Sequence, residues 1–97
     1  MSTPLTLIAT LSALDGQADA VEAGLRLLVD ASRQEAGCLQ YDLHRHQDYP
    51  QRFIMIEQWQ DSATLNEHRN STHYQHFGST CRELLEDVDL QLMNRIA

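Results

Sequence analysis

The stretch Phe53-Ile54-Met55-Ile56-Glu57-Gln58-Trp59 reads as a β-strand that is apolar on both faces. Side chains alternate along a strand, so Phe53, Met55, Glu57 and Trp59 share one face and Ile54 and Ile56 the other. A strand with two apolar faces needs a cover on each side. A chain of 97 residues has helices for one such layer, so the second cover is expected from another copy of itself. Glu57, set between Met55 and Trp59, gives its face the makeup of a small-molecule pocket: mostly apolar with few polar groups.

Working outward, Leu39, Tyr41 and Leu43 alternate with Gln40, Asp42 and His44, a strand with one apolar side. Gln47-Asp48-Tyr49-Pro50 is a turn, because proline cannot donate to a central ladder and aspartate favours turns. The two strands therefore form an antiparallel hairpin. Leu5 to Leu14 is another strand, with Leu5, Leu7, Ala9 and Leu11 on one face and Ile8 on the other. From Ala18 to Gln34 the period changes to three- and four-residue steps through Val21, Leu25, Leu28 and Ser32, which is a helix. Gly37 is expected to end it in a left-handed conformation.

Downstream, Asp61 is expected to cap a short helix in which Leu65 and His68 share a face. Ser71 reads as the cap of the next helix, with Tyr74, Phe77, Cys81, Leu84 and Leu85 along one side. Asp87 to Ile96 alternates again, Val88, Leu90 and Leu92 opposing Asp89, Gln91 and Met93. The order is β-α-β-β-α-β, the α+β ferredoxin-like pattern, in one domain spanning 1–97. Its uncovered sheet face predicts a back-to-back homodimer with two-fold symmetry.

Composition narrows the function. The formal net charge is −7 and the seven Lys and Arg are scattered, so nucleic acid is not an expected partner. No apolar run reaches the roughly 20 residues of a membrane span. Met1 to Leu5 has no basic region before its apolar residues, so no secretory signal is expected and the cytoplasm is the expected location. Cys38 and Cys81 stand far apart without a CxxC spacing and read as free thiols. No Gly-rich phosphate loop, nucleophile elbow, or haem, flavin or nicotinamide signature is present.

Histidine and carboxylate carry the candidate chemistry. His73 and His76 are three residues apart, but no third ligand or HExxH pattern accompanies them; no metal is expected and both read as solvated or capping side chains. His68 has two readings, a buried imidazole with a hydrogen-bond partner or a proton carrier at a pocket wall. Glu57 has two as well: a cross-strand or capping contact, or a carboxyl whose pKa is raised by desolvation. Trp59 is either core or pocket wall.

The run Met55 to Trp59, then Asp61, Leu65, Glu67-His68 and Ser71-Thr72-His73, resembles the antibiotic biosynthesis monooxygenase family. Glu35-Ala36-Gly37-Cys38 and Phe53 fit as well, and within the family the likeness is nearest to small quinol monooxygenases. The resemblance implies a dimeric α+β barrel with a cleft between sheet and helices in each protomer. It implies a cofactor-independent monooxygenase acting with molecular oxygen on a quinol-like or polycyclic aromatic molecule. His68, Glu57 and Trp59 would be the catalytic set, with Phe53, Met55, Leu65, His73, Tyr74 and Phe77 around the substrate. The chain departs from the polyketide-modifying members, which carry Asn where Met55 stands. It departs from the haem-degrading members, which have Trp at His68 and a histidine ligand near Gly78. Asp48 to Tyr74 also resembles the isomerase of a phosphorylated bacterial signalling sugar, which would meet phosphate through Arg52 or Arg69. A non-enzymatic ligand-binding dimer is the third expectation.

Overall fold

The computed structural model describes residues 4–97. Its elements are β1 (Leu5–Ala13), α1 (Ala18–Ser32), β2 (Cys38–Arg45), β3 (Arg52–Trp59), α2 (Ser62–Arg69), α3 (Thr72–Cys81), a 3-10 turn over Arg82–Leu84, and β4 (Leu85–Met93). The strands form one antiparallel sheet in the order β2-β3-β1-β4, the ferredoxin-like arrangement. The doubly apolar β3 and β1 occupy the centre, where both strand edges are paired.

Alternation along β3 and β1 decides what the helices cover. Phe53, Met55, Glu57 and Trp59 are buried, as are Leu7, Ala9, Leu11 and Ala13. The apolar ones join Val21, Leu25, Leu28 and Val29 of α1 and Leu65 of α2 in one core. Burying a side chain of this size contributes roughly 1.5–3 kcal/mol. Ile8, Ile54 and Ile56, on the opposite face, stay half-buried. The apolar side of β4 reaches beyond the helices, leaving Leu90 47% and Leu92 58% exposed.

Cross-strand register fixes which side chains meet. Glu57 lies opposite Leu7 on one side and Tyr41 on the other; Met55 lies opposite Ala9 and Leu43. The small Ala9 beside Met55 leaves space above the centre of the sheet.

Four local expectations are corrected. Leu39 is exposed, because the β2–β3 register shifts between Cys38 and Gln40; Cys38 takes the place opposite Trp59 and Leu39 is the extra residue of a bulge. The first helix stops at Ser32, and the chain continues in turns in which the amides of Gln34 and Glu35 donate to the carbonyls of Ala31 and Ser32. Gly37 is not left-handed; the sole positive φ among the described residues is at Gly16. Gly37 is required because a Cβ there would run into the Thr64 side chain. Leu84 and Leu85 leave α3: the Leu14 amide donates to the Leu84 carbonyl, Leu85 pairs with Ala13, and β4 starts there and stops at Met93.

Both caps form. Asp61 accepts from the Thr64 amide at 2.8 Å, and the Asp61 amide donates to Thr64 Oγ1 at 3.2 Å, a reciprocal capping box. Ser71 Oγ accepts from the Tyr74 amide at 3.3 Å and donates to the His68 carbonyl at 2.6 Å. Two short helices are thereby clamped end to end, with His68 just before the joint. Among the described residues no helix is long and apolar enough to cross a membrane.

Candidate active site

A cavity of about 190 Å³ opens between sheet and helices. Leu7, Ala9, Met55 and Glu57 form its floor; Leu25, Leu65, His68, Tyr74 and Phe77 stand over it. Arg69 and Arg82 also line it, with Val88 and Leu90 of β4. The floor follows from strand alternation, and the roof from the apolar stripe of α1 and the clamped pair α2–α3.

His68 is the most connected polar group here. It is 1% exposed, on the same buried face of α2 as Leu65. Its Nδ1 lies 2.7 Å from Glu35 Oε2, and His73 Nε2 lies 2.7 Å from the same oxygen. A carboxylate accepts, so both imidazole nitrogens are assigned as N–H donors. That tautomer leaves Nε2 of His68 as the acceptor, 3.5 Å from the Tyr41 hydroxyl. The His68 ring lies over Trp59 at 4.5 Å and meets Tyr74 edge-on at 5.0 Å, so packing and hydrogen bonding hold one orientation. Burial lowers the pKa of His68 below the usual histidine value, against the opposing pull of Glu35. At neutral pH the ring is uncharged and able to take a proton.

Glu57 is held differently. It is 5% exposed, and Trp59 Nε1 donates to its Oε1 at 2.9 Å. Burial pushes its pKa up to about 7; the Trp59 hydrogen bond and the Arg69 charge restrain the rise, and Glu35 adds to it. Burial, with the nearby Glu57, also raises the Tyr41 hydroxyl, which stays protonated. His68 and Glu57 each have their own partner, Glu35 and Trp59, and do not satisfy one another.

Of the residues singled out in the sequence, His68, Glu57, Met55, Leu65, Tyr74 and Phe77 meet at the cavity, as does Arg69, named for the isomerase-like reading. Three others are absent from its lining. Phe53 sits at the far end of β3, opposite Leu11 and Arg45, with the Arg45 guanidinium 5.2 Å from its ring centre. Trp59 is fully buried beneath His68 and reaches the site through two lining residues, the His68 ring it packs against and Glu57. His73 stands behind His68 on Glu35, half-buried, which corrects its reading as a solvated or capping side chain; His76 is exposed. Arg52 is exposed and stacks on Tyr49, away from the cavity. Cys38 and Cys81 are free thiols, the first partly and the second fully buried.

Glu35, Tyr41 and Arg82 were not marked as site residues by the sequence. Tyr41 was visible only as an apolar position in an alternating strand. Glu35 lies 33 residues from His68, and no periodicity links them. Glu35, His68 and His73 also present donor atoms within 4.8 Å of one another, a possible ligand set whose three atoms already pair by hydrogen bonds.

The family model described as antibiotic biosynthesis monooxygenase matches residues 4–79. The Mycobacterium tuberculosis protein named "Putative monooxygenase Rv0793" is 31% identical over 85 residues, covering 88% of this chain and 83% of that protein. The Bacillus subtilis protein named "Putative monooxygenase YcnE" is 40% identical over 58 residues, 60% of this chain; the chain spans 61% of that relative's length. The crystal structure of PA3566 from Pseudomonas aeruginosa superposes with a TM-score of 0.95 at 50% identity, covering 100% of this chain and 98% of that one. The structure of Rv0793 superposes with a TM-score of 0.91, covering 98% and 97% at 27% identity.

Proposed function

Because this chain belongs to the antibiotic biosynthesis monooxygenase family, we propose that it is a monooxygenase of small quinol-like aromatic molecules. The observation that carries this reading is the Glu35–His68 pair at 2.7 Å, which holds Nδ1 as a donor and leaves Nε2 unprotonated beside the Tyr41 hydroxyl, with His68 and Tyr41 both lining an apolar cavity. His68 takes the proton of a bound quinol, and Glu35 holds the ring and stabilises the imidazolium that forms. Glu57, poised near neutrality, is the second proton acceptor, and Trp59 positions it. The quinolate then passes an electron to molecular oxygen, and the two recombine to form a carbon–oxygen bond. Loss of water leaves one oxygen atom on the ring, so a quinol and oxygen give a hydroxyquinone and water. The substrate supplies every electron. Met55, Leu65, Tyr74 and Phe77 enclose the ring and keep water from the charged intermediates.

Cavity size bears on the substrate. An apolar cavity on the order of 150 Å³ holds benzene, so about 190 Å³ favours a substituted ring or a fused pair over a larger polycycle. Oxygen uptake with a panel of hydroquinones, comparing wild type with His68→Ala and Trp59→Phe, is the test. Turnover no faster than autoxidation would sink the reading.

Arg69 at the cavity favours a second reading, proton transfer in a phosphorylated carbonyl compound. Deuterium exchange beside the carbonyl without oxygen consumption would select it. The assembly proposed for either chemistry is a two-fold dimer joined through Ile8, Ile54 and Ile56, which one chain leaves half-buried. Light scattering on wild type and Ile54→Asp tests it; a wild type of monomer mass would refute it.

A further inference from the structure

The chain carries seven basic residues, all arginine, against 14 carboxylates. Three arginines are neutralised: Arg26 by Glu22, Arg33 by Asp42, and Arg45 by Asp19 and Glu22. Arg52 lies over the Tyr49 ring and Arg95 donates to the Ala97 carbonyl. The remaining two, Arg69 and Arg82, form no salt bridge or side-chain hydrogen bond among the described residues, and both line the cavity. They come from separate elements, Arg69 from the last residue of α2 and Arg82 from the turn after α3. Their presence at one cavity is therefore a product of the tertiary fold. In a chain with two carboxylates for every arginine, two arginines without a carboxylate partner lining the apolar cavity run against the composition.

The guanidinium group offers a planar fork of donors that matches a carboxylate or a phosphate. We infer that the ligand of this cavity carries an anionic substituent, its aromatic body lying over Met55 and Glu57 and its carboxylate or phosphate held at the rim by Arg69 and Arg82. This rests on the reading that the cavity is the substrate site, and it holds for either chemistry proposed there. Both arginines are exposed, so the anion stays partly hydrated and the gain is one of selectivity.

The test is equilibrium binding without oxygen, using three single-ring probes: para-hydroxybenzoate, para-hydroxyphenyl phosphate and the neutral isostere para-hydroxybenzamide. At low ionic strength at least one anion is expected to bind about tenfold more tightly than the amide, the size of one charge-assisted contact. Arg69→Gln and Arg82→Gln each reduce that preference, read as the ratio of anion to amide affinity in the same protein, and the double variant abolishes it. Arg→Lys variants retain part of it, and thermal melts show that all variants fold. Which anion binds more tightly separates a carboxylate ligand from a phosphate one. Equal binding of amide and anions, a preference that survives in the double variant, or no binding of any probe overturns the inference. Since no turnover is measured, that failure leaves the oxygen-uptake test standing, and a failure of oxygen uptake leaves the binding preference intact.

Discussion

Glu57 makes a quantitative prediction about stability. In the unfolded chain its carboxyl titrates at the ordinary value of 4.5; in the folded protein burial raises it to about 7. Between these values the folded state holds a proton that the unfolded state has released, so stability falls as pH rises. The favourable contribution is complete below the unfolded pKa and is lost as pH passes the folded one. The difference corresponds to about 3 kcal/mol, at roughly 1.4 kcal/mol per pKa unit. Glu57→Gln removes the titration while keeping an oxygen to accept from Trp59 Nε1. Urea unfolding of both proteins at fixed concentration, from pH 4 to pH 8.5, isolates the effect, since other groups cancel in the difference. The variant is expected to gain on wild type by about 3 kcal/mol across that range, most of it between the two pKa values. A difference independent of pH would refute the reasoning, because it would mean that the carboxylate ionises in place as easily as in water.

Other perturbations reach different parts of the same arrangement. His68→Gln should lower kcat by about 10²–10⁴, the usual worth of a positioned base; activity above a tenth of wild type would remove His68 from that role. In Glu57→Gln, whose side chain no longer titrates, the acid limb of the kcat/KM profile should fall below the ordinary histidine value, because burial lowers the His68 pKa and activity is lost as that ring is protonated. Trp59→Phe deletes the hydrogen bond that restrains Glu57, so the Glu57 midpoint should rise further, as carboxyl NMR titration would register. Gly37→Ala drives a methyl into Thr64 and should cost about 1–3 kcal/mol in urea unfolding, and an unchanged midpoint would contradict that close approach. Phe53→Ala should cost about 3–5 kcal/mol in urea unfolding, and an unchanged midpoint would contradict its place in the core.

The periodicities of the chain determine much of its architecture. Alternation in Phe53 to Trp59 and in Leu5 to Ala13 separates a helix-covered face from a half-covered one, and the Asp61 and Ser71 caps mark where α2 and α3 begin. These features are local, set by backbone geometry over a few residues. That is why the order of elements along the chain, the shared face of Leu65 and His68, and the apolar setting of Glu57 could be anticipated from sequence. The tertiary structure decided what depends on distant segments meeting. Glu35, in the turns after α1, reaches His68 and His73 across more than thirty residues, and only that contact fixes which imidazole nitrogen is free. The β2 bulge turns Leu39 outward, and pairing with β1 draws Leu85 out of the helical pattern. Arg69 is marked in sequence only as a phosphate contact for the isomerase-like reading and Arg82 not at all, and the packing of α2, α3 and the sheet places both at one cavity. Side-chain type and spacing record what a residue can do; its partner across the fold sets its protonation, its orientation and therefore its chemistry.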